Sequence, residues 1–293
     1  MNTVFDGEQR KILVRIFFGW VLLALLWRWM DASMLSQLES PVLGNVYKDL
    51  TFWLFQLLGV QEALTTGHGL ALAFDLLLTG SVVLALVRPA GVWSPRIYCT
   101  AILFYFVTHT TYANHHYRPI IGLLVAGLPF VFRSLDRFGR SFQALRYYVL
   151  FLYTSAGLYK VFRGSWLNMD QMTNIIENTQ LELLLTHGDG WHAQLFTWLL
   201  VHEWAGWALF FACTVMETLF IIGFFTKRWD VALYFTAMIL HIGFYFTMDF
   251  FAFELIVLDL TLLPWNKFLA ARGRTFRSFE DEANGQFEIT GRA

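Results

Sequence analysis

Eight ionisable side chains fall within or beside the long apolar stretches of this chain: Asp75, His109, Lys160, Glu217, His241, Asp249, Glu254 and Asp259. Ionisable groups in hydrocarbon are expensive, face a bundle interior or a cavity by default, and mark acid–base or ligand sites. Lys160 carries the sharpest chemistry. A lysine facing an apolar cavity is harder to charge, so its neutral amine becomes available as a base. Glu217 and His241 lie mid-span with no helix end to reach. A carboxylate there needs a cation or a hydrogen bond, or it stays protonated.

Each residue also has a plainer reading. Lys160 sits a few residues from a helix end and can snorkel to water. Asp259 lies near the inner end of its span and can pair with basic residues there, and Asp249 falls in a tight turn open to solvent. His109 alone fits a helix-packing role. Glu217 can pair with His241 or with Lys160, and spacing leaves both pairings open. His115 and His116 are adjacent, so they diverge on a helix. The sequence has no HExxH spacing and no Cys-His cluster, so no metal site is expected.

The elements that position these residues are membrane helices. The 293 residues are 57% hydrophobic and 15% charged, with 30 Phe and 12 Trp. Soluble domains carry roughly 25% charged residues. This deficit, with repeated apolar runs, reads as an all-α polytopic membrane protein with no soluble β domain. Net charge is −1, which excludes a general basic footprint for nucleic acid. Cys99 and Cys213 lie in apolar runs and read as small hydrophobes.

About eight spans are expected, over 12–30, 70–87, 97–112, 120–132, 145–162, within 195–225, 231–248 and 250–264. The first is a retained span, since no small-residue cleavage site follows it. The fourth is short enough to be re-entrant. Residues 46–60 are apolar on one face and read as an interfacial helix. The longest non-apolar connection is 163–194, and the beginning of 195–225, with His202-Glu203, reads as interfacial. With the N-terminus inside, nearly all Lys and Arg fall on inner segments (1–11, 88–96, 133–146, 227–228 and the tail), so both termini are expected in the cytoplasm. Lys160, His115 and His116 then lie at the outer boundary.

An ordered set of short motifs resembles a known family. Asn114-His115-His116-Tyr117, Gly122-Leu123-Leu124, then Tyr153-x-x-Ala156-Gly157-Leu158-x-Lys160 with Trp166 downstream resemble the membrane part of vitamin K-dependent γ-carboxylases. The set also resembles their bacterial relatives, the horizontally transferred transmembrane (HTTM) domain proteins. Glu217-Thr218-Leu219, Lys227-Arg228 and Leu240-His241 are similar to the second half of that domain. The resemblance implies a transmembrane domain over 1–264, a short polar cytoplasmic tail over 265–293, and a bacterial inner-membrane location. It implies Lys160 as the base that deprotonates a hydroquinone, with His115 supporting it. His116, Tyr153, Trp166, Glu217 and His241 would then contact the substrate or a quinol cofactor. The carboxylases also carry a large soluble lumenal region. Here 29 residues follow Pro264 and are expected to face the cytoplasm. The expected activity is therefore base chemistry on a quinol or lipid-like molecule and not protein γ-carboxylation.

Two other classes remain open at this level. One is a non-catalytic membrane subunit that binds a partner membrane protein through its aromatic surface, residues 46–60 and the tail. The other is an ion-coupled transporter using Asp75, Glu217 and His241, although no inverted repeat or pair of broken helices points to it. The lipid bilayer is the common partner of all three.

Overall fold

Asp6 opens the first helix. Its carboxylate accepts from the Gln9 amide at 2.7 Å, and its own amide donates to the Gln9 side chain at 3.1 Å, a reciprocal capping box. The helix, α1 (Gly7–Met30), ends where Ala32 turns left-handed (φ 51°) and the Ser33 amide reaches back to the Arg28 carbonyl at 3.0 Å. This computed structural model describes residues 5–38, 50–60, 63, 68–112, 121–186, 190–248, 253–265 and 267–269.

The remaining α-helices are α2 (Leu50–Leu57), α3 (His68–Val87), α4 (Trp93–Tyr112), α5 (Ile121–Ala126), α6 (Leu135–Phe162), α7 (Gln171–Thr179), α8 (Leu181–Thr186), α9 (Trp191–Val201), α10 (Glu203–Leu219), α11 (Ile222–Phe225), α12 (Asp230–Met248) and α13 (Phe253–Asp259). Every regular element among the described residues is helical. Four segments are long and apolar enough to cross a membrane: 7–37, 69–87, 203–225 and 230–248. Twenty residues of helix rise about 30 Å, the thickness of the hydrocarbon layer. These helices also turn large apolar side chains outward, such as Leu70 and Leu76 of α3 and Ile239 and Ile242 of α12. Such surface belongs against lipid.

Length and composition thus single out four spans where eight are expected. Helix α6 is 28 residues long but carries Asp136, Arg137, Arg140, Arg146 and Lys160 along its length. It also begins ten residues before the expected Leu145, because Ser134 accepts from the Arg137 amide and Arg140 pairs with Asp136 at 2.6 Å. The expected fourth span is short, as α5 covers six residues and continues only as a 3₁₀ turn, Leu128–Val131. The expected eighth shows α13 followed by a 3₁₀ turn, Leu260–Leu262; its first residues, 250–252, lie outside the described residues. Residues 46–49 of the expected interfacial helix lie outside them too, and Leu50–Leu57 is helical. The connection 163–194 is not a plain loop but holds α7, α8 and the start of α9.

Helix α3 packs on both α1 and α4, and α6 packs along α10. Phe17, Phe130, Phe138 and Phe142 meet edge-on or tilted, at centroid distances of 5.5–5.9 Å, in the main core. A smaller core of Met172, Ile176, Phe196, Leu199 and Phe210 joins α7 and α9 to the first half of α10.

Candidate functional site

The α6–α10 pair runs antiparallel, and the register is fixed by a glycine. A Cβ placed on Gly157 would lie 2.6 Å from the amide nitrogen and Oγ1 of Thr218, so only glycine allows this approach. Four residues before it, Tyr153 stacks on Phe220 at 4.2 Å between centroids. Three residues after it, Lys160 meets Glu217. The Lys160 ammonium donates to both Glu217 carboxylate oxygens, at 2.8 and 2.7 Å. It also lies over the rings of Phe210 (5.4 Å) and Phe244 (5.9 Å). Cys213 Sγ stands 3.8 Å from both the ammonium and the carboxylate.

Burial distinguishes this pair from its counterparts. The Lys160 side chain keeps 22% of its surface exposed while that of Glu217 keeps 4%. The salt bridges Arg28–Glu254, Arg146–Asp230 and His241–Asp259 are all closed, no side chain in them exceeding 10%. Of these four buried pairs among the described residues, only Lys160–Glu217 has a side chain that stays partly exposed. An ammonium–carboxylate pair in apolar surroundings can also exist as amine and carboxylic acid. Proton transfer inside it moves no net charge, so a neutral base is reachable without exporting a proton.

Two turns back along α6, Tyr153 belongs to a different cluster. Its hydroxyl lies 2.8 Å from His241 Nε2 and donates to Asp259 at 3.1–3.2 Å, and His241 Nε2 meets Asp259 Oδ2 at 2.7 Å. All three are buried. His241 Nδ1 is buried without a hydrogen-bond partner among the described residues. This cluster joins α6, α12 and α13 and is sealed from any ligand. Tyr153 and His241, expected to contact the substrate, therefore hold helices together.

Trp166 sits in the 3₁₀ turn Ser165–Leu167 after α6. Its carbonyl accepts from the Trp207 indole at 2.8 Å and its ring tilts against Phe211 at 5.9 Å, fastening the turn to α10. His115 and His116 lie outside the described residues. The other candidates resolve into structural parts. Asp75 accepts from the backbone amides of Leu35 and Ser36 at 3.2 and 2.8 Å, capping a 3₁₀ turn after α1. Glu254 holds Arg28, whose guanidinium also donates to Tyr105 Oη at 3.4 Å. The Tyr105 hydroxyl donates in turn to the Ser33 carbonyl at 2.5 Å, and the His109 ring tilts toward Tyr105 at 5.6 Å. Asp259 is structural, as its plain reading has it, but its partners are His241 and Tyr153 and not basic residues of the inner face. Asp249 is outside the described residues.

The chain matches no family model, no curated protein and no solved structure. Among the described residues, no three His, Cys, Asp or Glu side chains gather as a metal site. The geometry around Lys160 is therefore what carries the functional argument.

Proposed function

We propose that this chain is an integral protein of a bacterial inner membrane, with about eight spans and both termini in the cytoplasm, that performs base chemistry on a quinol or lipid-like molecule entering from the outer leaflet. The observation that supports it is the asymmetric pair, a partly exposed Lys160 side chain whose ammonium is clamped by a buried Glu217 carboxylate. The proton of the pair passes from nitrogen to oxygen, leaving a neutral amine and a carboxylic acid. The amine then takes a hydroxyl proton from the bound quinol. The products are an ammonium, a neutral Glu217 and a quinolate held beside the positive charge, so the step is balanced and needs no metal. The resemblance to the carboxylase membrane domain motivates the substrate class, and the sequence motifs around Lys160 motivate its role as base.

A short-chain naphthohydroquinone added to the detergent-solubilised protein tests this. Quinolate formation is read from the absorbance of the anion. Wild type is expected to form it below the pH at which the free quinol ionises. Lys160→Arg keeps the positive charge but cannot supply a neutral amine, so it should lose the effect while remaining folded. Glu217→Gln should lose it as well. If Lys160→Arg forms quinolate as wild type does, the base reading fails, and a non-catalytic partner-binding subunit becomes the better description.

A further inference from the structure

Towards the other end of α6 a cleft of about 500 Å³ opens between the first half of that helix, the turn joining α11 to α12, residues 261–265 and Lys267. That volume lies within the range of small-ligand sites, roughly 300–1,000 Å³. One side is apolar, formed by Phe5, Phe142, Leu263 and Trp265. The other side is cationic, formed by Lys227, Arg228 and Lys267. Asp230, the one carboxylate lining the cleft among the described residues, is paired on both oxygens. Arg146 Nε and Nη2 donate to its two oxygens at 2.7 and 2.6 Å. Lys227 donates to the Gln143 side chain at 2.8 Å, and neither it nor Arg228 nor Lys267 meets a carboxylate among the described residues. Among the described residues, three positive charges thus line one opening without a carboxylate in ion-pair contact. Burial pushes the Lys227 pKa down and the neighbouring Arg146 pushes it further, with Asp230 opposing them in part.

The position of the cleft narrows the ligand. Lys227 and Arg228 lie in the turn between two segments that can each cross the membrane, 203–225 and 230–248. Lys227 and Arg228 therefore stand at headgroup level, beside the partly exposed Leu263 and Trp265. We infer that this cleft binds a phosphate-bearing amphiphile, the phosphate on Lys227, Arg228 and Lys267 and the apolar part against Leu263 and Trp265. A phosphate oxygen accepts readily from ammonium and guanidinium groups, and juxtamembrane basic residues attract anionic headgroups. The site is separate from Lys160, 14 residues and about 21 Å further along the same helix.

Native mass spectrometry of the full chain in detergent tests the inference with three probes: dioctanoyl phosphatidic acid, dioctanoyl phosphatidylcholine and inorganic phosphate. Wild type should bind one phosphatidic acid in preference to the phosphatidylcholine. The Lys227→Gln/Lys267→Gln variant should bind phosphatidic acid at least about tenfold more weakly, as expected for losing charge-assisted hydrogen bonds. Leu263→Ala, at a partly exposed position lining the cleft, separates the two sources of phosphate. If it weakens phosphatidic acid but leaves inorganic phosphate unchanged, the ligand is a lipid. If inorganic phosphate binds as tightly as phosphatidic acid in wild type and is lost in the double variant, the site takes a free phosphate group. Equal binding of phosphatidic acid by wild type and the double variant, both folded by circular dichroism, overturns the proposal.

Discussion

Arg146 and Lys160 stand on the same helix, and each meets a carboxylate from across the bundle, yet the two pairs are built for different ends. Arg146 spreads its guanidinium over both oxygens of Asp230 and also donates to the Gly223 carbonyl at 2.7 Å. Its charge is permanent and its fork is filled, so the pair can only hold α6 against the α11–α12 turn. Lys160 carries a charge that can be given up, on a side chain that remains in part accessible. One end of α6 is a staple and the other a candidate site, and the distinction lies in donor chemistry and exposure, not in the presence of an ion pair.

Breaking the staple should have the largest effect. Asp230→Ala leaves a buried guanidinium without its counter-ion, a change of about 3–5 kcal/mol. Thermal unfolding in detergent should show a large loss of stability or no recoverable protein. Removal of the Lys160 charge should be milder, since the side chain is partly exposed and Glu217 can take up a proton. Retention of wild-type stability by Asp230→Ala would erase the contrast.

Next comes the crossing itself. Gly157→Ala puts a methyl group 2.6 Å from backbone on α10, and overpacking of this kind costs about 1–3 kcal/mol. It should also part Lys160 from Glu217 and so reduce quinolate formation. Gly80→Ala, on α3, meets nothing within 4 Å and serves as the control expected to be neutral. Equal melting temperatures for the two variants would show that the close approach does not govern the pair.

The smallest effect is expected from removing both partners of the site. Lys160→Met/Glu217→Gln leaves no net charge buried, and such replacements are often neutral or stabilising. Stability near wild type with no quinolate formation would separate function from structure at this end of α6. A double-mutant cycle whose singles cost as much as the pair would instead make Lys160–Glu217 a second staple.

The helices were legible because apolar length is a local property. The runs around 12–30, 70–87, 97–112 and 231–248 each match a helix to within a few residues at most boundaries, and the interruption at His202-Glu203 is where α9 gives way to α10. Helix α7 was less visible. Its Met172 and Ile176 lie at i, i+4 spacing and both are buried, a signal outweighed by the polar residues between them. Pairing was hardest to read. Glu217 and His241 announce that they need partners, but sequence cannot say that His241 meets Asp259 while Glu217 meets Lys160. Asp75 was opaque for another reason, since its partners are backbone amides and any residue supplies those. Arg28 escaped notice because, two residues from the end of an apolar run, it reads as a boundary charge.

That last residue has a consequence for how the protein is made. Arg28 is buried against Glu254, which follows it by 226 positions. At synthesis rates of roughly 5–20 residues per second, the ribosome needs roughly 10 to 45 s to produce the partner. During that interval the guanidinium can meet Tyr105, its hydrogen-bond partner in the folded bundle, before it meets Glu254. The bundle can therefore reach electrical closure only when its last helices insert. Chains truncated before Glu254 should be the ones that membrane quality control removes.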